Sequence, residues 1–391
     1  MSYKYVVLGA GRQGVAIAYD LAKFCEANSI VLADKDLKIA QRGTERIGSL
    51  LQTSIATAKT ADAADPRELT KLFLGANSVI SAVPYYFNLE LAKSAIEAKA
   101  NFCDLGGNTG IVLRELKLDK EAKKAGVTVV PDTGLMPGLG NTLAVYAINK
   151  LETTDEIHIY CGGLPQNPRP PLNYKLVFSI EGLLNEYFGT AYVLRYGKVK
   201  EIPTFSELEE IEFDPPVGKC EAFVTSGGTS TCPWTFEGKI KEYDYKTVRY
   251  PGHYDKIKAL LDLGFLDSKP LKVKDAEIKP RDFTCILLSQ NINFPEDHDL
   301  VVLRIVARGM FKSRAVEIKM NIIDYHDENT GFSAMERTTG FPAAIVAYHL
   351  AQGLAPKGAV PLEKAIEPMR FLEDFKKRGI FFKEEMNQVL I

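Results

Sequence analysis

The chain has 391 residues, which is enough for two or three domains with buried cores of their own. Its composition, 46% hydrophobic and 25% charged, excludes a disordered, collagen-like or coiled-coil chain. A formal net charge of −2 provides no positive excess for a phosphate backbone, so we expect no nucleic-acid partner. No run reaches the ~20 apolar residues of a membrane span. The six cysteines form no CxxC pair, and we therefore expect a cytoplasmic protein without membrane contact, disulfides or a metal site.

The first third of the chain alternates strand-like and helix-like segments. Apolar runs predict strands at Lys4–Leu8, Ile30–Ala33, Ser54–Ala58, Ser78–Val83, Asn101–Leu105 and Val127–Val130. Helical spacing marks segments between them, among them Leu89–Ala98 and Leu116–Ala125. Strands that are apolar on both faces and separated by helices indicate a parallel sheet covered on both sides. Residues 1–140 therefore predict an α/β Rossmann domain with a doubly wound parallel sheet.

A different pattern begins after this region. Between Asp155 and Asp324, apolar and polar residues alternate along segments such as Lys239–Tyr250 and Arg314–Asp324. Period-two alternation is typical of a mainly antiparallel sheet with one wet face, so residues 141–334 predict an α+β second domain. Helical spacing returns from Gly340, and the amphipathic tail Phe371–Ile391 predicts a further helix. We expect residues 335–391 to complete the nucleotide domain.

A glycine-rich motif follows the first predicted strand. It is Gly9-Ala10-Gly11-Arg12-Gln13-Gly14, and Asp34 comes about 20 residues later, at the end of the next strand. Gly9 permits the turn, Gly11 admits the pyrophosphate, Gly14 packs the helix on the sheet, and Arg12 and Gln13 open a helix whose N–H groups face the phosphates. The alternative is a Rossmann turn that no longer binds a nucleotide.

Asp34 predicts the choice of cofactor. Its carboxylate would accept hydrogen bonds from ribose hydroxyls and repel a 2′-phosphate, which favours NAD over NADP. Lys35 and Arg42 count against this preference, because either could pair with that phosphate. The end of the fourth strand should lie along the cofactor through Ala82, Val83 and Pro84, with Tyr85 toward the nicotinamide.

Several polar runs resemble a known family. They are Asp104–Asn108, Asn173–Lys175, Phe178–Leu183, Asn185–Tyr187 and Arg249–His253. From Gly9 to about Gly358 the chain resembles the saccharopine dehydrogenase-like proteins, and among them most the lysine 6-dehydrogenases. The resemblance implies NAD-linked oxidation of an amine carbon, an amino-acid substrate in the cleft between the domains, and a homodimer built mainly through the second domain. For the lysine 6-dehydrogenases it implies oxidative deamination of the side chain of L-lysine to a semialdehyde that cyclises to piperideine-6-carboxylate.

Amine oxidation by a nicotinamide needs a base with a pKa near neutrality. His253 is the first candidate, because a histidine titrates in that range and this one stands in a polar, glycine-flanked turn. Asp104, at a strand end, and Lys175 are the other catalytic candidates. A structural role is the alternative for each of them.

Arg249 is the candidate for the substrate carboxylate, since a guanidinium binds carboxylates in a planar, two-pronged geometry. Tyr250 could add a hydroxyl group beside it. Glu186 could meet the α-ammonium group. Tyr85 and Thr225 could line the cleft, and Cys161 is as readily a small core residue as a site residue.

Three other functions remain open at this stage. A saccharopine dehydrogenase or reductase handles a substrate with three carboxylates and should show several arginines, whereas Arg249 stands nearly alone in the shared runs, with Arg169 and Arg195 as further possibilities. A carboxynorspermidine-type reductase also acts on a C–N bond. A regulatory protein that binds NAD without catalysis is the alternative from another class.

Overall fold

The computed structural model describes residues 2–389. The first sheet contains β1 (Tyr3–Leu8), β2 (Ala27–Asp34), β3 (Ala56–Thr60), β4 (Ser78–Ser81), β5 (Asn101–Asp104) and β6 (Thr128–Val130). The helices between them are α1 (Arg12–Phe24), α2 (Leu37–Leu51), α3 (Pro66–Phe73), α4 (Asn88–Glu97), α5 (Thr109–Glu115) and α6 (Asp119–Ala125), and short 3-10 turns occupy Tyr85–Phe87 and Leu116–Leu118.

The second domain begins at α7 (Leu139–Lys150). Its strands are β7 (Thr153–Pro165), β8 (Thr190–Arg195), β9 (Lys198–Pro203), β10 (Glu209–Phe213), β11 (Gly218–Val224), β12 (Glu242–Arg249), β13 (Leu271–Val273), β14 (Ala276–Ile278), β15 (Asp299–Phe311) and β16 (Arg314–Tyr325). Its helices are α8 (Ile180–Glu186), α9 (Cys232–Phe236), α10 (His253–Asp262) and α11 (Pro280–Asn291).

The chain then returns to the first domain. It forms α12 (Ala334–Ala351), β17 (Gly358–Ala359), α13 (Leu362–Ala365), α14 (Pro368–Lys376) and β18 (Lys383–Gln388). Ser333 caps α12 by accepting from the Glu336 amide while Glu336 accepts from the Ser333 amide, so this helix starts before the predicted Gly340. None of the helices within residues 2–389 has both the length and the apolar character that crossing a membrane requires.

Seven parallel strands form the first sheet, in the order β17-β6-β5-β4-β1-β2-β3. Strands β1, β4 and β5 are almost entirely buried because helices cover both faces. The predicted Rossmann domain is confirmed, and the carboxyl ends of β1, β2 and β4 meet at one edge, as ligand binding in such sheets requires.

The second sheet has nine strands in a mixed, mostly antiparallel arrangement. Its main path is β10-β11-β12-β7-β15-β16-β18, with β8 beside β12 and β9 beside β8. Only the β12–β7 pairing is parallel within the described part of this sheet, and it sets Thr247 opposite Cys161. The predicted second fold is thus confirmed, and this pairing brings residues distant in sequence together.

The tail differs from the expectation of one helix over Phe371–Ile391. Helix α14 ends at Lys376, Gly379 adopts φ +74°, and Lys383–Gln388 forms β18 on the edge of β16. An open strand edge offers unpaired backbone groups, which the last segment satisfies in an extended conformation. The end of the chain therefore joins the second sheet rather than completing the nucleotide domain, and the last predicted helical positions, 390 and 391, lie outside the described residues.

Candidate active site between the two domains

The glycine loop after β1 is shaped for a close ligand. Gly9 has φ +98°, and a Cβ atom there would lie 2.6 Å from the Ala82 carbonyl oxygen. A Cβ on Gly14 would lie 1.7 Å from the Gly9 carbonyl oxygen, so this position requires glycine for the approach of α1 to the sheet. A Cβ on Gly11 would meet nothing within 4 Å. The loop is therefore tightly packed at Gly9 and Gly14, whereas the space beside Gly11, at the N-terminus of α1, is open. An open space at this position fits a dinucleotide pyrophosphate.

Asp34 is held beside this loop. Its Oδ2 accepts from the Ala10 amide at 2.8 Å, and its Oδ1 accepts from the Asp36 amide at 3.1 Å. Each oxygen keeps a further lone pair, and the side chain is partly exposed at the sheet edge. The structure thus gathers the predicted cofactor residues at one edge of the sheet: Gly9, Gly11, Arg12, Gln13, Gly14, Asp34, Ala82, Val83 and Pro84.

A cleft of about 190 Å3 opens between the two domains. The nucleotide side contributes Gln13, Leu105, Leu135, Met136, Pro137, Met335 and Thr339, and the second domain contributes Cys161, Gly162, Gly163, Phe178, Glu186, Tyr245, Thr247 and Arg249. Gln13 donates its Nε2 to the Met335 carbonyl oxygen at 3.2 Å, which links the glycine loop to α12. The cleft therefore adjoins the nucleotide loop directly.

One face of β12 supplies the polar floor of this cleft. Tyr245, Thr247 and Arg249 alternate along the strand and line the cleft together. Tyr250 directs its side chain into a separate apolar cluster with Leu164. The prediction that Tyr250 meets the substrate is therefore contradicted by the geometry, because successive side chains of a strand point to opposite faces.

Arg249 is the central cation of the site and is 2% exposed. Its Nε donates to the Tyr187 hydroxyl at 3.1 Å, and its Nη1 donates to the Val248 carbonyl oxygen at 2.9 Å. The guanidinium carbon lies 4.8 Å from the Tyr174 ring centroid. Its Nη2 lies 3.5 Å from Glu186 Oε2. Aromatic rings and one carboxyl group thus hold a guanidinium that faces the cleft.

Glu186 stands at the end of α8, beside that cation. Burial raises the pKa of its carboxyl group to about 7, although Arg249 acts in the opposite direction. Its Oε2 is buried and makes no hydrogen bond within residues 2–389. The cleft therefore holds a fixed cation next to a carboxyl group that ionises near neutrality.

His253, the predicted base, does not line the cleft. It is the first residue of α10 and is fully buried. Its Nε2 is 3.0 Å from the Tyr187 hydroxyl and its Nδ1 is 3.2 Å from the Leu172 carbonyl oxygen. Burial and the nearby Arg249 lower the pKa of His253 to about 3. A ring with both nitrogens engaged and no path to the cleft does not fit the role of a base.

Asp104 also lies beneath the cleft rather than in it. It is fully buried at the end of β5, where its Oδ1 accepts from the Gly106 amide at 2.6 Å and the Asp132 amide at 3.2 Å. Burial raises the pKa of Asp104 to about 6, and Glu115 and Asp132 lie close enough for their charges to interact. This geometry favours shaping of the Gly106 turn over contact with a reacting amine.

Three other predicted residues lie away from the cleft lining. Lys175 donates its ammonium to the Asp297 carbonyl oxygen. Tyr85, in a 3-10 turn, packs against Gly107, where a Cβ would lie 3.3 Å from its ring. Thr225 is buried, with a hydroxyl that has no partner within the described chain. The structure joins Arg249 and Glu186 at the cleft and leaves these three apart.

Tyr245, Thr247 and Tyr187 belong to the site but were not predicted from the sequence. The first two could have been found by continuing the two-residue period of β12 backwards from Arg249. Tyr187 ends the family-like run Asn185–Tyr187, but its contact with Arg249 joins residues 62 positions apart in sequence, and no periodicity indicates it.

His298, His326 and Glu328 form a group whose ligating atoms lie within 4.8 Å of one another. The two imidazole rings are stacked, with centroids 3.9 Å apart and planes inclined by 22°. Within this group His298 Nε2 lies 3.4 Å from Glu328 Oε1.

Comparison with known proteins defines the class. Residues 5–130 match the family model described as the saccharopine dehydrogenase NADP binding domain, and residues 134–380 match the saccharopine dehydrogenase C-terminal domain. Together with the glycine loop, these matches define an oxidoreductase with a domain for a pyridine nucleotide. The chain belongs to the saccharopine dehydrogenase family, which confirms the resemblance carried by its polar runs.

Individual relatives span several activities. The NADP+-dependent, L-glutamate-forming saccharopine dehydrogenase of Saccharomyces cerevisiae is 25% identical, over 90% of this chain and 94% of its own. Carboxynorspermidine synthase of Vibrio cholerae is 23% identical, over 95% of this chain and 94% of its own. The crystal structure of the apo yeast saccharopine dehydrogenase has a TM-score of 0.79 at 23% identity, covering 99% of this chain and 100% of that one. The shared architecture is thus that of saccharopine dehydrogenase.

Proposed function

We propose that the protein catalyses NAD-dependent oxidative deamination of the side-chain amine of L-lysine. The observation that carries this proposal is the pair of Arg249 and Glu186, 3.5 Å apart in the cleft beside the glycine loop. A guanidinium next to a carboxylate matches the α-carboxylate and α-ammonium of a free amino acid. A substrate held by these groups extends its side chain toward the nucleotide domain.

The charges of the cleft favour a small substrate over saccharopine. Arg249 is the one cationic side chain among the described residues that line it. Arg169 is paired with Glu296 and Asp297, and Arg195 is paired with Glu207 and Asp244. A substrate with three carboxylates would leave two of them without a cation in a volume of about 190 Å3.

The reaction conserves atoms and charge in two steps. A bound nicotinamide supplies the acceptor for one hydride from the amine carbon. The neutral side-chain amine becomes a protonated imine, which carries the positive charge that the nicotinamide loses, and water hydrolyses that protonated imine to the semialdehyde with release of an ammonium ion. Arg249 and Glu186 hold the α-carbon groups throughout. Because no histidine or lysine lines the described cleft, the side-chain amine enters in its neutral form, which alkaline pH favours.

Parallel turnover assays test this proposal. The purified protein is incubated with L-lysine, saccharopine, 1,5-diaminopentane and other diamino acids, each with NAD and with NADP, while reduced nucleotide and ammonia are measured. We expect L-lysine to form ammonia and NADH in equal amounts without a 2-oxo acid. The diamine without a carboxylate should be a poor substrate. Turnover of saccharopine but not of L-lysine would reject the proposal.

Saccharopine dehydrogenase is the second candidate, because the yeast relative that matches 90% of the chain has that activity in its name. A carboxynorspermidine-type reductase is tested in the reducing direction with the same nucleotides. Nucleotide binding without turnover of any of these amines would favour a regulatory NAD-binding protein.

We also propose that the protein is a cytoplasmic homodimer built mainly through its second domain, as the family resemblance implies. Light scattering coupled to gel filtration measures the mass in solution. A mass of twice the 43.3 kDa of one chain is expected. Cell fractionation tests the location.

A further inference from the structure

Hydrogen bonds lead from Arg249 through Tyr187 and His253 to the Leu172 carbonyl oxygen, and the donor of each bond can be assigned. A carbonyl oxygen only accepts, so the Leu172 carbonyl requires a proton on His253 Nδ1, 3.2 Å away. In a neutral ring Nε2 is then an acceptor, and the Tyr187 hydroxyl at 3.0 Å donates to it. The lone pairs of that hydroxyl are left to accept from Arg249 Nε at 3.1 Å. The four groups form one chain with a single consistent direction.

We propose that His253 and Tyr187 are positioning residues that set the orientation of Arg249 toward the substrate carboxylate. This inference rests on the proposed function, because it assigns the carboxylate of the amino acid to Arg249. Tyr187 fixes Nε and the Val248 carbonyl fixes Nη1, so the plane of the guanidinium is defined before substrate arrives. Orientation of a planar, two-pronged cation decides how well it binds a carboxylate.

The surroundings maintain this arrangement. His253, Tyr187 and Tyr174 are each at most 1% exposed, and the Tyr174 ring packs edge-on to His253 at 5.4 Å between centroids. Burial, Arg249 and Lys256 all favour the neutral ring and hold the pKa of His253 near 3. Neutral His253 keeps accepting from Tyr187 over the working pH range. A protonated ring would turn its Nε2 into a donor and break the chain.

Two variants of His253 distinguish its role as acceptor from Tyr187 from its role as donor to Leu172. His253→Gln places an amide oxygen near the position of Nε2 and keeps an acceptor for Tyr187. His253→Asn keeps a donor toward Leu172 but removes that acceptor. Tyr187→Phe removes the central hydroxyl. His298→Gln, on the exposed surface, is the control for replacing a histidine.

Steady-state kinetics with L-lysine and NAD give the main readout. We expect Tyr187→Phe and His253→Asn to raise KM for lysine about tenfold or more, because a lost hydrogen bond to a charged group costs that much, while kcat falls less than about threefold. His253→Gln should recover most of the affinity. Affinity for NAD should match the wild type in every variant, which also reports folding.

Opposite results overturn the inference. An unchanged KM in both His253→Asn and Tyr187→Phe would show that Arg249 needs no such support. A fall in kcat of about a hundredfold with loss of the acidic limb of the pH profile would identify His253 as the base instead.

A second measurement keeps this test separate from the proposed function. If the wild-type protein does not oxidise lysine, the proposed function fails while the chain of hydrogen bonds can still be examined without substrate. In protein labelled with 15N-arginine, the Arg249 Nε–H signal, assigned with Arg249→Lys, should exchange slowly with solvent. It should exchange rapidly in Tyr187→Phe. Rapid exchange already in the wild type would overturn the inference.

Discussion

At the scale of single residues, we expect Asp34 to set the preference for NAD over NADP. Its carboxylate is anchored by the amides of Ala10 and Asp36 beside the glycine loop. Asp34→Ser should improve the use of NADP relative to NAD, because it removes repulsion of a 2′-phosphate and leaves Lys35 nearby. The ratio of kcat/KM for the two nucleotides is the measurement, and Asp155→Ser, in the second domain, is the control. An unchanged ratio would place Asp34 away from the ribose.

Glu186 makes the site sensitive to pH at the same scale. Burial raises the pKa of its carboxyl group to about 7, so the group is neutral at lower pH and an anion at higher pH. Because the substrate ammonium group needs the Glu186 anion, kcat/KM for lysine should fall below about pH 7 more steeply than deprotonation of the side-chain amine alone requires. Glu186→Gln should lose this additional fall, keep the slope that the amine imposes, and raise KM about tenfold.

Glu181→Gln, at the exposed start of α8, is the matched control for that variant. It should retain the wild-type profile. A Glu186→Gln profile that follows the wild type through neutrality would separate Glu186 from substrate binding.

At the scale of elements, the two halves of the site differ in how far sequence could predict them. The nucleotide loop is local: β1, six consecutive residues and α1 carry all its parts, so spacing alone identified it. The cleft combines residues of β7, α8, β12 and α12, and the parallel register of β12 on β7 sets Thr247 opposite Cys161 within it. No local pattern specifies that register.

His253 shows what local pattern cannot resolve. A polar, glycine-flanked turn suggested an accessible base, yet the residue starts α10 and points inward. Glu221 fixes that turn by accepting from the amides of Gly252 and Tyr254 at 2.6 and 3.0 Å. Which way the first helical side chain faces depends on this long-range contact. The alternation along β12, in contrast, was available in the sequence and separates Arg249 from Tyr250.

The ends of β5 and β6, with α5, hold three buried carboxyl groups. Burial, with Asp104 nearby, raises the pKa of Glu115 to about 11, so the folded state keeps a proton that the unfolded chain releases above about pH 4.5. Stability is therefore lost as pH rises from about 4.5 toward 11. Glu115→Gln should weaken this loss, because the amide does not titrate.

Thermal unfolding at pH 6 and pH 9 tests this prediction. The midpoint should fall less between the two values in Glu115→Gln than in the wild type, with bound nucleotide absent in both. Glu121→Gln, exposed on α6, is the control. Equal losses in Glu115→Gln and the wild type would show that Glu115 is already ionised in the folded protein.

At the scale of the whole molecule, the chain passes between the two domains more than once. Hydrogen bonds join the two domains and also pack the returning helix α12 against the nucleotide domain. Ser230 of the second domain donates to Asp132 Oδ2 at 2.5 Å, and Thr231 donates to Glu363 Oε1 at 2.9 Å. Helix α12 lies along α1, and its Ala347 carbonyl accepts from the Ser78 hydroxyl at 2.8 Å. Asp132 and Glu363, from the N-terminal and C-terminal parts of the nucleotide domain, therefore both contact the second domain.

A buried ion pair joins the C-terminal segment to α1, the helix that follows the glycine loop. Arg378 donates from Nε and Nη2 to the two oxygens of Asp20 on α1, at 3.0 and 2.7 Å, and both side chains are at most 1% exposed. Arg378→Met should destabilise the protein by about 3–5 kcal/mol, because it leaves the Asp20 carboxylate buried without its cation. Urea unfolding measures the loss, and adding Asp20→Asn to the same chain should recover much of it, since the uncompensated charge is then gone. Lys377→Met is the control. The Lys377 side chain is 64% exposed and its ammonium group pairs with Asp374, and exposed pairs of this kind contribute about 0–1 kcal/mol to stability. A single Arg378→Met variant as stable as the control would mean that the tail does not secure α1 in the folded protein.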